Sequence, residues 1–307
     1  MVDILMATYN GEKYIESQLT SIISQTYKDW RLFIQDDLST DCTLKIIKKY
    51  QIIDKRIILV DNTQKLGCGR NFLSLLSYST SEYICFADQD DYWFENKLER
   101  LVNEMTLYDK ENECPKLVVS NCLLWKYPQN SIFYNPNFVK PNAIHQALFI
   151  GGMQGCLTLF NSKLRDILNK KFDYIWLHDH YLLLSAITFG QIYYINDPLM
   201  LYRQHENNVT PHFITGLLPK VINKLKGSNA LLDRRLYLEN KEFYRLNIQT
   251  MPEEIRSVFR NYFKLESMKP LFRKLKLIFS NYTIANSSHL YFVIKVLVKR
   301  KFIGEER

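Results

Sequence analysis

The chain has 307 residues, enough for one large domain or two, with the 47% hydrophobic and 23% charged content of an ordinary globular protein. Its net charge of +8 is lopsided, because residues 1–219 carry 21 Lys and Arg against 24 Asp and Glu, while residues 220–307 carry 19 against 8. A basic C-terminal region argues for an anionic partner there and against a nucleic-acid-binding core. Six scattered cysteines, without CxxC pairs or Cys/His zinc spacing, read as reduced thiols of a cytosolic protein, with Cys85 and Cys156 in the core. No secretory signal pattern opens the chain and no apolar run approaches the roughly 20 residues that span a bilayer, so a cytoplasmic location is expected.

In chain order, residues 4–7 form a short apolar strand ending in Thr8-Tyr9-Asn10-Gly11, a turn signal. Tyr14, Ile15, Leu19, Ile22 and Ile23 follow at helical spacing. The second strand, 30–35, runs into Asp36-Asp37 and then Ser39-Thr40-Asp41, and 43–50 repeats the helical period. A third strand at 56–60 and a helix after Gly67 lead to a fourth strand, 83–87, which reads YICFA. Asp88-Gln89-Asp90-Asp91 follow it directly, and a helical pattern starts at Glu95.

Four strand–helix alternations with short connections predict a right-handed, mostly parallel α/β sheet, in which ligands bind outside the carboxyl ends of the strands. Thr8/Tyr9, Asp36/Asp37 and Asp88/Asp90/Asp91 all fall at that edge. Three carboxylates together repel one another unless a cation sits among them, and an oxygen-only cluster suits Mg²⁺ or Mn²⁺. A solvated acidic turn capping the next helix is the alternative for the cluster taken alone. A dinucleotide-binding domain is disfavoured, because ATYNGEKY holds one glycine where G-x-G-x-x-G is required, and no P-loop occurs.

Together, ILMATYN, the run SIISQTYKDWRLFIQDD and FADQDDYW resemble the family 2 glycosyltransferases of GT-A fold, and the resemblance extends over at least residues 3–205. It implies an inverting enzyme that takes a sugar from a nucleotide-diphosphate donor with Mn²⁺ or Mg²⁺ as cofactor. Carried over by position, Ala7, Tyr9 and Glu12 would face the donor nucleotide, and Asp37 (or else Asp36) would accept from N3–H of uracil or thymine. The D-x-D motif maps to Asp88-Gln89-Asp90. Asp90 would be the direct metal ligand and Asp88 would sit at the ribose or in the metal's outer shell, with Asp91 either joining them or capping the next helix.

Residues 117–124 are predicted as a further strand and 126–141 as loop; Gly151-Gly152-Met153-Gln154-Gly155 then leads into a strand at 157–160. The resemblance places Gln154 and Gly155 beneath the acceptor. Residues 176–181, WLHDHY, open a helix, and Asp179 stands where the family carries its catalytic base, with His178 beside it toward the acceptor. His178 and His180 do not make a metal pair, since i and i+2 on a helix face different ways. Strands are predicted at 191–195 and 199–202, with a turn at Asn196-Asp197-Pro198 between them. The following YRQHENNV is similar to a subgroup of bacterial rhamnosyltransferases and related O-antigen or capsule enzymes. Arg203 would meet the diphosphate, His205 would complete the metal shell, and 203–216 would form a lid.

From residue 216 to 307 the pattern is one of basic, aromatic-bearing helices, expected either to lie on an anionic membrane surface or to pack as a solvated bundle. The expected organisation is a catalytic domain over 1–215, with a donor half at 1–110 and an acceptor half at 111–215, plus a helical C-terminal extension. The expected partners are a UDP- or dTDP-sugar, dTDP-rhamnose among them, and a glycan or lipid-linked oligosaccharide. Two alternatives remain at this point: a nucleotidyltransferase, and a non-catalytic subunit that binds nucleotide-sugar or glycan.

Overall fold

The computed structural model describes residues 1–109, 114–135, 140, 143–150, 153–206, 230–279, 296, 297, 299 and 301–304. The glycines at 151 and 152, the lid stretch beyond Glu206, the basic run at 220–226 and the segment 280–295 lie outside them. Two compact units are present, one of Met1–Phe138, Gln154–Lys171 and Leu177–Pro211, the other of Val139–Met153, Phe172–Trp176 and His212–Arg307.

In the first unit, strands β1 (Val2–Thr8), β2 (Trp30–Asp36), β3 (Ile57–Val60) and β4 (Tyr83–Ala87) lie in the order β3-β2-β1-β4, all parallel. Helices α1 (Ile15–Ile23), α2 (Thr43–Ile53) and α3 (Cys68–Ser74) connect them. Val2, Ile4, Leu5 and Met6 of β1 and Ile84, Cys85, Phe86 and Ala87 of β4 have no exposed surface, as uninterrupted apolar runs require in a sheet covered on both faces. Register aligns the strand ends. Thr8 pairs with Asp36 and Met6 with Ala87, so Asp88 emerges level with Ala7.

Beyond β4 the sheet becomes mixed. β8 (Thr158–Asn161) is antiparallel to both β4 and β6 (Lys116–Lys126), and β9 (Gln191–Gln204) runs parallel to β6. The short β5 (Tyr92–Trp93) pairs with β9, which ties the segment after the acidic cluster to the last strand. Helices α4 (Lys97–Tyr108), α6 (Ser162–Leu168) and α7 (His178–Phe189) complete the first unit.

Two expectations are corrected. Asn196-Asp197-Pro198 does not separate two strands: β9 is continuous, and the ladder to β6 slips at Asn121, opposite Pro198. A proline that cannot donate to a ladder is accommodated at such an irregularity. Nor is 126–141 loop throughout, because Ser131–Tyr134 forms β7, folded back on Leu123–Lys126 as a hairpin.

The second unit contains α5 (Ile144–Ile150), α8 (Arg234–Asn247), α9 (Glu253–Ser267), α10 (Pro270–Phe279) and a two-stranded parallel ribbon of β10 (Ala230–Leu232) and β11 (Lys301–Ile303). Buried Asn240 donates to the Leu148 carbonyl and to Tyr262 Oη, while Phe243 stacks on Phe259. Helix α5 is therefore tied into this helical unit through Asn240.

Candidate active site

The site forms where β1, β2 and β4 end. Gln89, the middle residue of the acidic motif, accepts from Tyr9 N at 3.0 Å and donates to Tyr9 O at 2.9 Å, locking the turn after β4 to the turn after β1. At Gly11 a Cβ would lie 2.2 Å from Gln89 Oε1, so a larger residue there would push the Gln89 amide off Tyr9. The turn after β1 is also knitted to that after β2. Asn10 N donates to Ser39 Oγ, Glu12 Oε2 accepts from Cys42 N, and Asp36 accepts from the Thr8 and Ser39 hydroxyls. Glu12 and Asp36 are thereby occupied as loop braces.

Asp37 is buried, and its two carboxylate oxygens accept from Leu66 N at 2.6 Å and Gly67 N at 2.9 Å, which holds the loop before α3 against the mouth. Tyr9 is exposed, with Lys65 Nζ 3.8 Å from its ring centre, and Ala7 is half-buried beside it.

The three acidic residues differ in surroundings. Asp88 and Asp90 are half-buried, whereas Asp91 is fully buried and accepts from Arg203 N at 3.1 Å. Asp91 does not cap α4, whose N-cap is Asn96. Burial and then the charge of Asp90 push the Asp88 carboxyl up to about 7, against the opposing pull of the Cys156 thiol and Lys97. Asp91 is raised well above the carboxylate range by burial and by both neighbours, and its Oδ2 has no hydrogen-bond partner among the described residues. Ligand atoms of Asp88, Asp91 and Cys156 lie within 4.8 Å of one another.

Three basic side chains bracket the cluster. His205 Nε2 lies 2.8 Å from Asp90 Oδ2, and its ring stacks on Tyr14 at 4.6 Å. Arg203 is buried; its Nε donates to Asp90 O at 2.6 Å, and its guanidinium lies 3.8 Å from the Trp125 ring centre, with Tyr14 and Tyr127 also around it. Arg203, expected at the diphosphate, grips the acidic loop through these contacts. Lys97 sits beneath, wholly buried, donating to Cys156 O at 2.6 Å, 3.0 Å from Met200 Sδ and 3.9 Å from the Trp93 ring centre. Sequence reasoning missed Lys97. Its signal was a lysine in phase with Leu101 and Met105 on the apolar face of α4.

Asp179 occupies the first turn of α7 and is half-buried. Burial first, and the Asp88 charge second, raise its carboxyl to about 7. The neighbouring His178 is clamped between Phe72, at 3.8 Å and nearly parallel, and Phe86, at 4.7 Å and edge-on; burial holds it neutral with a pKa of about 3. A Cβ on Gly155 would lie 2.5 Å from His178 Nε2 and 3.4 Å from Asp179 Cβ, so Gly155 is required for α7 to approach. Gln154 leads into this turn, half-buried. The thiol of Cys68, an exposed residue at the start of α3, is pushed up by desolvation and then by the charges of Asp88, Asp179, Asp90 and Asp37, so all four carboxylates lie within electrostatic range of it.

Carboxylate oxygens with one imidazole at their edge are a donor set suited to a hard divalent ion, and the unpartnered Asp91 oxygen together with the mutual elevation of Asp88 and Asp91 marks charge that such an ion would relieve. A parallel half-sheet joined to a mixed one, with carboxylates at the strand ends, is the GT-A architecture of glycosyltransferases. Residues 3–168 match the family model for glycosyl transferase family 2, and the chain belongs to that family. It is 38% identical over 224 residues to the dTDP-rhamnosyl transferase RfbG of Shigella flexneri, covering 66% of this chain and 72% of that protein. It is 31% identical over 202 residues to the UDP-Glc:alpha-D-GlcNAc-diphosphoundecaprenol beta-1,3-glucosyltransferase WfgD of Escherichia coli, covering 64% and 73%. Among solved structures, the mannosyltransferase PcManGT of Pyrobaculum calidifontis, in complex with GDP-Man and Mn²⁺, superposes with a TM-score of 0.54 at 16% identity, covering 97% of this chain and 73% of that one.

Proposed function

We propose that this glycosyltransferase moves a sugar, with inversion, from a dTDP- or UDP-sugar to a hydroxyl of a growing, lipid-linked glycan in bacterial surface-polysaccharide synthesis. The observation that carries the reading is Asp179, a carboxylate raised to about 7 at the mouth that also gathers Asp88 and Asp90. Similarity to RfbG favours deoxythymidine diphosphate and rhamnose, and similarity to WfgD favours a polyprenyl-diphosphate-linked acceptor.

In the reaction, the acceptor oxygen attacks the anomeric carbon from the face opposite the diphosphate. The carbon–oxygen bond to the diphosphate breaks, its electron pair leaves with the nucleoside diphosphate, and the hydroxyl proton passes to Asp179. Asp179 suits that task because its pKa lies near neutrality. Asp88, Asp90 and His205 would hold Mn²⁺ or Mg²⁺, which supplies charge stabilisation at the diphosphate when bound. Tyr9, Ala7 and the Asp37-braced loop line the nucleotide end, with Glu12 fixing the turn beneath. Gln154, Gly155 and His178 form the floor on the acceptor side. Arg203 acts through Asp90, whose carbonyl it holds, rather than on the donor.

The test is thermal shift and turnover with dTDP-rhamnose and UDP-sugars, each with Mn²⁺, Mg²⁺ or EDTA, on wild type, Asp90→Ala and Asp179→Asn. Metal-dependent stabilisation by one donor, lost in Asp90→Ala and kept in Asp179→Asn while turnover disappears, is the expected result. Donor binding with no effect of Asp179→Asn on turnover would remove Asp179 as the base. No stabilisation by any nucleotide would return the acidic cluster to a structural turn.

A further inference from the structure

The second unit carries a surface that glycosyl transfer does not use. Helix α10 reads PLFRKLKLIF: it has no acidic residue, and its Leu271, Phe272 and Leu275 are 67%, 59% and 43% exposed. Leu275 stands four residues after Leu271 and three after Phe272, the spacings that make helix side chains neighbours, so it joins the other two into one apolar patch. Leu297, 53% exposed, belongs to the chain segment whose carbonyl receives Lys274 Nζ at 2.7 Å, and it extends the apolar surface beside the helix.

The cations are placed with the same economy. Arg273 and Lys274 border a shallow, open cleft whose described lining also includes Lys299, Lys301, Leu277 and Phe302, and no carboxylate. Arg273 lies over the Phe302 ring at 5.0 Å, and Lys276 points outward from the next turn. Among the described residues Arg273, Lys274 and Lys276 form no ion pair. Arg245 of the same unit, by contrast, is neutralised by Asp173 and Glu242, and Arg256 and Arg260 are by Glu253. The charge of α10 therefore has no carboxylate partner among the described residues, and it borders protruding leucine and phenylalanine.

We propose that α10 and its basic cleft are the docking face of this protein for an anionic bilayer surface, with phospholipid phosphates in the cleft and Leu271, Phe272 and Leu275 set among the acyl chains. A free phosphate would use the cations and leave the apolar patch without a role. A lipid surface uses both, and binding to it falls with salt because the lipid charge is screened. The inference stands independently of the identity of the donor sugar.

The experiment is sedimentation of the full chain with vesicles of phosphatidylglycerol and phosphatidylcholine, against vesicles of phosphatidylcholine alone. Wild type is expected to partition onto the anionic vesicles and to be released by salt. Leu271→Ser/Phe272→Ser and Lys274→Glu/Lys276→Glu are each expected to partition at least about tenfold more weakly. Lys45→Glu/Lys48→Glu, an equal charge change on the exposed side of α2, is expected to leave partition unchanged, and all variants keep the wild-type melting temperature because the substituted side chains are exposed or at a cleft rim. Equal binding to neutral vesicles overturns the proposal, as does equal loss in the α2 variant, which would make net charge the cause. A vesicle-free dimer that Leu271→Ser/Phe272→Ser converts to monomer also overturns it, giving the patch to a second copy.

Discussion

At the residue scale, Asp179 and Gly155 form a pair whose roles can be separated. A base must be ionised to accept a proton, so with a pKa near 7 the rate rises with pH through that value and levels above it. A divalent ion next to Asp88 withdraws part of the charge that elevates Asp179, so the rising limb moves to lower pH as metal saturates. Asp179→Asn is expected to lose about 10²–10⁴ in turnover while donor affinity holds; a pH–rate profile with and without Mn²⁺ checks both statements. Gly155→Ala acts differently. The new methyl meets His178 Nε2 at 2.5 Å, and that ring, held between Phe72 and Phe86, has nowhere to go. Overpacking of this kind costs about 1–3 kcal/mol, read by urea unfolding, and displaces α7 with its carboxylate. A variant with wild-type stability and wild-type turnover would show that the approach is not required.

At the element scale, the latch between β9 and the acidic loop decides how firmly the cluster is preorganised. Arg203 contributes its backbone N–H to Asp91, its Nε to the Asp90 carbonyl and its planar face to Trp125. Arg203→Ala leaves a buried carbonyl unpaired and an empty slot between rings, a loss of about 2–4 kcal/mol by urea titration, with weaker metal-dependent donor binding. Arg203→Lys keeps the charge yet lacks the fork and the plane, and is expected to recover less than half of it. This element also shows where the sequence was readable. The strand ends at Thr8, Asp36 and Ala87 and the carboxylate of Asp179 at the start of α7 lie close to where periodicity and resemblance put them, because local chemistry determines them. The direction of Arg203 was not readable, since its partners lie more than a hundred residues earlier in the chain. The same holds for Lys97, whose fit depends on Cys156 and Met200, and for β9, where an Asn-Asp-Pro turn signal is overridden by a ladder to β6.

At the scale of the molecule, the acidic mouth sets a stability profile that metal should invert. Asp88 and Asp179 have folded-state values near 7, above the ordinary carboxylate value near 4, so the folded chain binds more protons than the unfolded one between those limits. Without metal, these two groups lower stability progressively as pH rises from about 4 to 7, and the penalty is complete above 7. Asp3 works in the opposite sense. Burial would raise it, but Arg31 and the donors of Ser79, Thr80 and Ser81 hold it below its ordinary value, so its stabilisation is present above about 4 and fades in stronger acid. The metal-free protein should accordingly melt highest in mildly acidic buffer. A divalent ion binds the ionised cluster and not the protonated one, and at a hundred times its dissociation constant it adds about 2.7 kcal/mol. Saturating Mn²⁺ should therefore raise the melting temperature by several degrees at pH 8 and by little at pH 5.5, moving the optimum toward neutrality. Asp90→Ala should melt higher than wild type without metal at pH 8, because it removes a charge that elevates its neighbours, and should gain nothing from Mn²⁺. A Mn²⁺ shift of the same size at both pH values, or one that survives Asp90→Ala, would place the ion elsewhere.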